Sequence, residues 1–270
     1  MSKPPKTARA VQPNKGLEVW YRNKLDGMIK EMTNSVEYWL SAEYKENPPT
    51  MLEAIDMAAD AKPKASPATA MQQRLKVLTK RWNDRFDEMA DQIAQRFVTA
   101  GVRYTDASFK QALKDAGWTV EFKMTPVMRD AANATIQENV ALIKSISSEY
   151  MTDIEGIVMR GYAAGNDLGS VSKDLQDRYG VTKRRAALIA QDQSNKLNAT
   201  TTQARRVDLG LYEAIWTHSS AGKEPRPSHV KAGRDKLRFD VRKGALIDGE
   251  YILPGQKIRC RCSSKTVLPF

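Results

Sequence analysis

Cysteine and histidine are scarce in this sequence, with two of each among 270 residues. A disulfide-rich scaffold is therefore excluded, because such a framework needs several cysteine pairs. No apolar run approaches the roughly 20 residues that a membrane-spanning helix requires, and 15 glycines are too few for a collagen-like repeat. The remaining composition, 41% hydrophobic and 28% charged, predicts a soluble, ordered protein.

Acidic residues are also in the minority, and the excess of basic residues is unevenly distributed. Lys and Arg outnumber Asp and Glu by 43 to 32. Residues 21–60 carry 4 basic and 8 acidic residues, whereas residues 201–270 carry 14 basic and 7 acidic residues. We therefore expect the C-terminal end either to attract a polyanion or an acidic protein surface, or to serve solubility alone.

The first half of the chain reads as an arm followed by long helices. Residues 1–16 are basic, contain proline and lack apolar periodicity, so we expect a flexible or extended arm outside the core and no secretory signal. Beyond residue 17, apolar residues recur at spacings of three and four, which predicts helices. The predicted helices cover 17–46, 51–59, 70–99, 106–116 and 126–161, with a linker over 61–70. Thr125 followed by Pro126 is the clearest helix start.

The second half changes from helical to strand-like. Two helices are predicted over 171–179 and 182–210, with a turn at Gly180 that is also compatible with a DNA-reading helix-turn-helix. From Leu211 onward, short strand-like runs alternate with turns. The fold class is therefore α+β, a long-helix N-terminal region followed by a small mixed α+β C-terminal domain. The predicted divisions are the arm at 1–16, the helical region at 17–165 and the α+β domain at 166–270.

All four histidines and cysteines fall between residues 218 and 262, where they could form a tetrahedral zinc site. Cys260, Cys262 and His229 are the predicted ligands, and His218 is a candidate fourth. The spacing departs from the paired knuckles of most zinc sites, and Cys-x-Cys is also poor spacing for a relaxed disulfide. The alternative is that Ile258, Cys260 and Cys262 share the buried face of a strand and pack as small apolar side chains.

Basic residues around this cluster are candidate contacts to DNA phosphates, because such contacts need charge and reach rather than a base-reading motif. On the predicted strand, three of them would alternate with the buried residues and project on one face. The alternative is an edge strand that Lys and Arg protect from aggregation. The candidates are Arg226, Lys231, Arg234, Lys236, Arg238, Arg242, Lys243, Lys257, Arg259 and Arg261.

Signals for catalysis are weak. The sequence has no glycine-rich phosphate loop, no nucleophile elbow and no pair of histidines at helical spacing. His229, Arg226 and Asp235 could be assembled into a nuclease or transferase site, but many surface loops offer as much. We therefore expect no enzymatic activity and no catalytic residue.

Residues 184–262 resemble the Mu F-like head morphogenesis proteins, the minor head proteins of tailed bacteriophages. The resemblance rests on an ordered series of segments. They are RRAALIAQDQSNKLN at 184–198, LGLYEAIWTH at 209–218, RPSH with Gly233 at 226–233, and PGQKIRCRC at 254–262. Some family members carry Cys-x-x-Cys where this chain has Arg226 and His229, which with the final pair would make a four-cysteine site.

The resemblance implies a structural role in procapsid assembly at the portal vertex, in a few copies inside the head. Its implied partners are the portal protein, the major capsid or scaffolding protein, and packaged or ejected double-stranded DNA, with no membrane. The implied location is the virion, after assembly in the host cytoplasm. The alternatives are a sequence-independent DNA-binding protein, or a nuclease or toxin-like enzyme.

Overall fold

The structure is a computed structural model that describes residues 5–49, 66–220 and 224–270. The helices are α1 (Lys15–Glu46), α2 (Pro67–Asp115), α3 (Pro126–Ala163), α4 (Leu168–Asp208) and α5 (Pro227–Arg234). The strands are β1 (Thr7–Ala8), β2 (Glu213–Thr217), β3 (Arg238–Asp240), β4 (Ala245–Ile247), β5 (Glu250–Ile252) and β6 (Ser263–Val267). The predicted α+β class is confirmed. The predicted helix at 51–59 and the first half of the linker lie outside the described residues.

Two predicted helix interruptions are wrong. α2 continues from Pro67 to Asp115 without a break at residues 100–105. Gly101 lies inside it, where an added Cβ would stand 2.2 Å from Leu197 of α4. This glycine therefore permits close helix packing and does not end a helix.

α4 is also a single helix, and it passes through Gly180. Thr182, the first residue of the second predicted helix, donates a hydrogen bond from its hydroxyl to the carbonyl oxygen of Arg178 at 3.0 Å, which is a bond made inside a helix. The predicted helix-turn-helix is therefore wrong, because the two helices are one. The predicted start of α3 is confirmed, since the Thr125 hydroxyl accepts a hydrogen bond from the backbone N–H of Met128 at 3.2 Å.

The described chain forms two compact units, each assembled from separate stretches of sequence. The helical unit comprises Asn23–Gln92 and Val140–Ala187, and the sheet unit comprises Met1–Arg22, Ile93–Asn139 and Leu188–Phe270. The unit boundaries fall inside the four long helices. The predicted boundary at residues 165 and 166 lies in the turn between α3 and α4.

The helical unit has an apolar core contributed by one face of each of its four long-helix segments. In α1 this face is Leu25, Met28, Ile29, Met32, Val36 and Leu40, all buried. Tyr150 and Phe86 are its largest fully buried side chains. The predicted spacing of three and four is confirmed, because these positions recur on one side of a 3.6-residue helix.

The sheet unit contains a four-stranded antiparallel sheet in the order β1-β6-β2-β3 and a separate hairpin of β4 and β5. β1 corrects the expectation that residues 1–16 stay outside any core. Ala8 pairs with Thr266 of β6, and Ala8 and Val11 are buried in a cluster with Phe109 and Leu113. The edge of β6 and this apolar cluster together hold a segment whose own sequence has no periodicity.

A second cluster in the sheet unit packs the sheet against α5 and the hairpin. It contains Trp216 of β2, Ala232 of α5, Phe239 of β3, and both cysteines. The cysteines therefore lie in an apolar interior, between the end of β2 and the start of β6. None of the described helices combines the length and the apolarity needed to cross a bilayer.

Candidate metal centre and cationic groove

Three separate chain segments bring the two histidines and two cysteines together in the sheet unit. His218 directly follows β2, and His229 lies in the first turn of α5. Cys260 and Cys262 lie in the loop that precedes β6. His229, Cys260 and Cys262 are 3%, 4% and 8% exposed, so these three side chains are shielded from water.

The loop that carries the cysteines is not the predicted strand. The backbone N–H of Cys260 donates to the carbonyl of Lys257 at 2.9 Å, and Arg259 has a φ of 61°, so the chain turns here. The carboxylate of Asp192 in α4 accepts the backbone N–H of Arg259 at 3.1 Å. The loop therefore satisfies these backbone groups through a turn and a side chain rather than through a neighbouring strand.

The predicted alternation along this loop is consequently wrong. Ile258 is 59% exposed, whereas Cys260 and Cys262 are buried, so the three do not share a face. Lys257, Arg259 and Arg261 do not form a row of cations on a strand either. Only the burial of the two cysteines agrees with the predicted strand.

The four side chains form a chain of close polar contacts. Nδ1 of His229 lies 3.4 Å from Sγ of Cys260 and 3.8 Å from Sγ of Cys262. Nδ1 of His218 lies 3.6 Å from Sγ of Cys262. The donor atoms of His229, Cys260 and Cys262 all lie within 4.8 Å of one another. These are the three predicted metal ligands, and His218, the predicted fourth, approaches from the side of Cys262.

The two thiols are free and buried. A hydrogen bond from Cys262 lowers the pKa of Cys260 to about 5, although burial opposes this shift. The same interaction with Cys260, together with burial, raises the pKa of Cys262.

Gly233 allows the two histidine-bearing segments to approach. A Cβ on Gly233 would lie 2.4 Å from Cβ of His218 and 2.8 Å from its backbone nitrogen. The Trp216 ring packs edge-on against the His229 ring, with centroids 5.1 Å apart. Gly233 thus permits the close approach of His218, and the indole of Trp216 restrains the position of the His229 imidazole.

Five of the ten predicted DNA-contact residues are engaged with carboxylates. Lys231 and Arg234 pair with Asp235, Arg238 with Glu213, Arg242 with Asp240, and Lys257 with Glu250. Of the others, Arg226 donates to the carbonyl of Ile258, and Arg261 to the amide oxygen of Gln191. Lys236 and Arg259 lie at turn positions with positive φ, and Lys243 follows β3 in a turn.

Three of the candidates nevertheless line one groove. Arg234, Lys236 and Arg238 are joined there by Lys265 of β6, which the sequence-based set omitted, and His218 lies in the same wall. The groove has a volume of about 590 Å³. Its lining is therefore rich in positive charge, with partial neutralisation from the partners of Arg234 and Arg238.

The sequence-based prediction missed a set of buried polar residues on α4. Arg205 is 3% exposed and donates to both carboxylate oxygens of Asp106, at 2.7 and 2.6 Å. Arg206 donates to the Ser264 hydroxyl, the Ser264 carbonyl and the Thr266 hydroxyl, each at 2.8 Å. Burial lowers the pKa of Arg206 to about 9.

Two turns earlier on α4, the amide of Asn198 donates to the carbonyl of Val11 at 3.0 Å. The available signal was the polar run QDQSNKLN inside the 184–198 segment, which interrupts the apolar face of a long helix. Polar side chains that a helix directs into the interior must find partners there.

Comparison with known proteins gives a family match that covers this region. The profile of the family described as phage Mu protein F like protein matches residues 152–265. An uncharacterised protein of Haemophilus influenzae is 30% identical over 263 residues, and the alignment covers 96% of this chain and 55% of that protein. No solved structure matches the chain.

The chain thus spans about half the length of the curated relative it matches. The matched family region begins in α3, includes all of α4, and ends in β6. It contains both histidines, both cysteines and the buried polar residues of α4. The resemblance seen in the sequence is therefore confirmed: residues 152–265 match the family described as phage Mu protein F like protein.

Proposed function

We propose that this protein is a minor head protein of a tailed bacteriophage and acts in procapsid assembly at the portal vertex. The observation that carries the proposal is the family match over residues 152–265. The role is structural, and the protein resides inside the head near the portal after assembly in the host cytoplasm. Its partners are the portal protein and the major capsid or scaffolding protein.

The interior of the sheet unit supports a structural role better than a catalytic one. His229, the residue on which a nuclease or transferase site would depend, is 3% exposed, and its Nδ1 faces two sulfur atoms. A general base must be within hydrogen-bonding reach of the substrate proton. A buried imidazole that faces thiols is poorly placed for that task, whereas it is well placed to hold segments together.

The cationic groove supports a second function, contact with packaged or ejected DNA. Arg234, Lys236, Arg238 and Lys265 place four cations along one depression. Contacts to phosphates require charge and reach but no base-specific hydrogen bonds. If the head role failed, this groove would favour the alternative of a sequence-independent DNA-binding protein.

Quantitative mass spectrometry of purified procapsids and mature virions tests the head role. We expect a small, fixed number of copies per particle in both, and co-purification with the portal protein. Absence from both particles would overturn the assignment. Depletion of the protein should also reduce the yield of filled heads without changing the synthesis of the major capsid protein.

A salt titration of DNA binding tests the groove separately. We expect the double variant Lys236→Gln/Lys265→Gln to reduce the slope of log affinity against log salt by about 0.9 for each phosphate that is no longer neutralised. The matched control is Lys76→Gln/Lys173→Gln, which removes the same charge from exposed positions in the helical unit. Equal effects of both pairs would exclude the groove as the surface that binds DNA.

A further inference from the structure

We propose that His229, Cys260 and Cys262 bind one zinc ion in the sheet unit and that His218 completes its tetrahedron. The ion would connect the end of β2, the first turn of α5 and the loop before β6. This site is independent of the portal-vertex role, because it concerns how the sheet unit holds its own segments together.

The distances between donor atoms match the edges of a zinc tetrahedron. With Zn–N of about 2.0–2.1 Å and Zn–S of about 2.3 Å, a tetrahedral angle places nitrogen and sulfur about 3.6 Å apart. The three observed nitrogen–sulfur distances are 3.4, 3.6 and 3.8 Å. One central ion can therefore contact His229, Cys260 and Cys262 with only small side-chain movements.

The chemical types of the four side chains also fit zinc. Soft thiolates combined with imidazole are a ligand set that suits zinc well.

Apolar packing alone does not account for this arrangement. Two buried cysteines could pack as small hydrophobic residues, but packing does not require an imidazole nitrogen to face both sulfur atoms. The loop is also anchored from outside the cluster, because Asp192 accepts the backbone N–H of Arg259. The cysteines are thus held in position by contacts other than those of their own side chains.

His218 is placed to become the fourth ligand. Its Nδ1 lies 3.6 Å from Cys262, and its backbone is held against α5 because Gly233 has no side chain. His218 is partly exposed, unlike the other three residues. The proposal requires the His218 imidazole to turn toward the ion that the other three side chains hold.

Metal analysis of the full-length protein, purified without chelators, tests the proposal. We expect about one zinc ion per chain, and a thiolate-to-cobalt charge-transfer band with tetrahedral d–d bands when cobalt(II) replaces zinc. His229→Ala and Cys260→Ala should each reduce the zinc content by about tenfold or more. Ser228→Ala, a neighbour on α5 that bonds Asp248 at 2.7 Å, is the matched control and should retain zinc.

The proposal can also be tested on the wild-type protein alone, so the test does not require that a variant fold. Chelation should lower the thermal midpoint, and added zinc should restore it. Less than about a tenth of an ion per chain, with no binding of added zinc or cobalt, would overturn the site. Unchanged zinc affinity in His218→Ala would overturn the assignment of His218 as the fourth ligand.

Discussion

The helical unit and the sheet unit bury different kinds of residue. Among the described residues of the helical unit, the buried polar side chains are Thr33, Glu43, Ser147 and Thr182. Those of the sheet unit are Thr105, Asn139, Asp192, Gln193, Ser194, Asn195, Asn198, Thr201, Thr202, Arg205, Arg206, His229, Ser263, Ser264 and Thr266. The same helix, α4, contributes to both units, so the difference arises from what each part of it packs against.

The difference indicates two ways of fixing a structure. Apolar side chains on a helix face stabilise packing through burial, with little demand on the partner beyond shape. Buried polar groups must meet specific partners, because an unmet donor or acceptor costs about 1–3 kcal/mol. The polar residues of α4 therefore specify which strand and loop lie beside them, and the sheet unit is the region that depends on this.

The largest expected effect is in the helical unit and tests its reliance on packing. Phe86 is fully buried, so Phe86→Ala should lower the free energy of unfolding by about 3–5 kcal/mol. Val77→Ala is the control on the same helix, because Val77 is 62% exposed and should change stability little. Chemical denaturation measures both, and a loss below about 1 kcal/mol for Phe86→Ala would contradict an apolar basis for this unit.

The next largest loss of stability is expected in the sheet unit, and it tests whether buried polar pairs stabilise that unit. Asp106→Ala removes the carboxylate that pairs with buried Arg205 and should cost about 3 kcal/mol, because a guanidinium is left without its main partner. The double variant Asp106→Leu/Arg205→Met should recover most of this loss, since no buried charge remains. Denaturation curves measure both variants. If the double variant is no more stable than Asp106→Ala, the unpaired charge of Arg205 does not explain the loss of stability in Asp106→Ala.

Two glycine-to-alanine substitutions compare a tightly packed glycine in the sheet unit with a glycine in the helical unit that has no close neighbour. Gly233→Ala should destabilise the protein by about 1–3 kcal/mol, because the new methyl would overlap His218. Gly27→Ala, inside α1 with no atom within 4 Å of the new Cβ, should stabilise it by about 0.5–1 kcal/mol. Thermal melts of the two variants should therefore shift in opposite directions. A shift of the same sign in both would contradict the proposed role of Gly233.

The smallest expected effect is a pH dependence in the sheet unit. Hydrogen bonds from Arg242 lower the pKa of Asp240 from its ordinary value of 3.8 to about 2. A carboxyl whose pKa is lowered on folding stabilises the protein above pH 3.8, and this contribution is lost as the pH falls toward 2. In Asp240→Asn, the thermal midpoint should fall slightly less between pH 5 and pH 2 than in the wild-type protein. Thermal melts at intervals of roughly one pH unit measure this difference. The effect is small because the Asp240–Arg242 pair is exposed. Identical pH profiles of the variant and the wild-type protein would contradict the pairing.

The sequence predicted local features more reliably than the relations between distant segments. The faces of α1 and α3, the cap at Thr125 and the general position of the strands follow from residue spacing, and these are confirmed. The predicted breaks at 100–105 and at Gly180 are wrong, because a glycine inside a helix looks the same in sequence as one that ends a helix. The strand-like run predicted at 257–268 is a strand only over Ser263–Val267, because alternation of side chains is also possible in the turns that precede it.

Composition, periodicity and ordered motifs are enough to predict the α+β class, the resemblance to the phage Mu protein F like family, and the inventory of two histidines and two cysteines near the C-terminus. The folded chain adds that His229 faces both cysteines, that five of the predicted cations pair with carboxylates, and that Ala8 extends the edge of β6. The contacts of His229 and Ala8 join residues far apart in the chain, where the choice of partner depends on which buried groups meet in the folded interior.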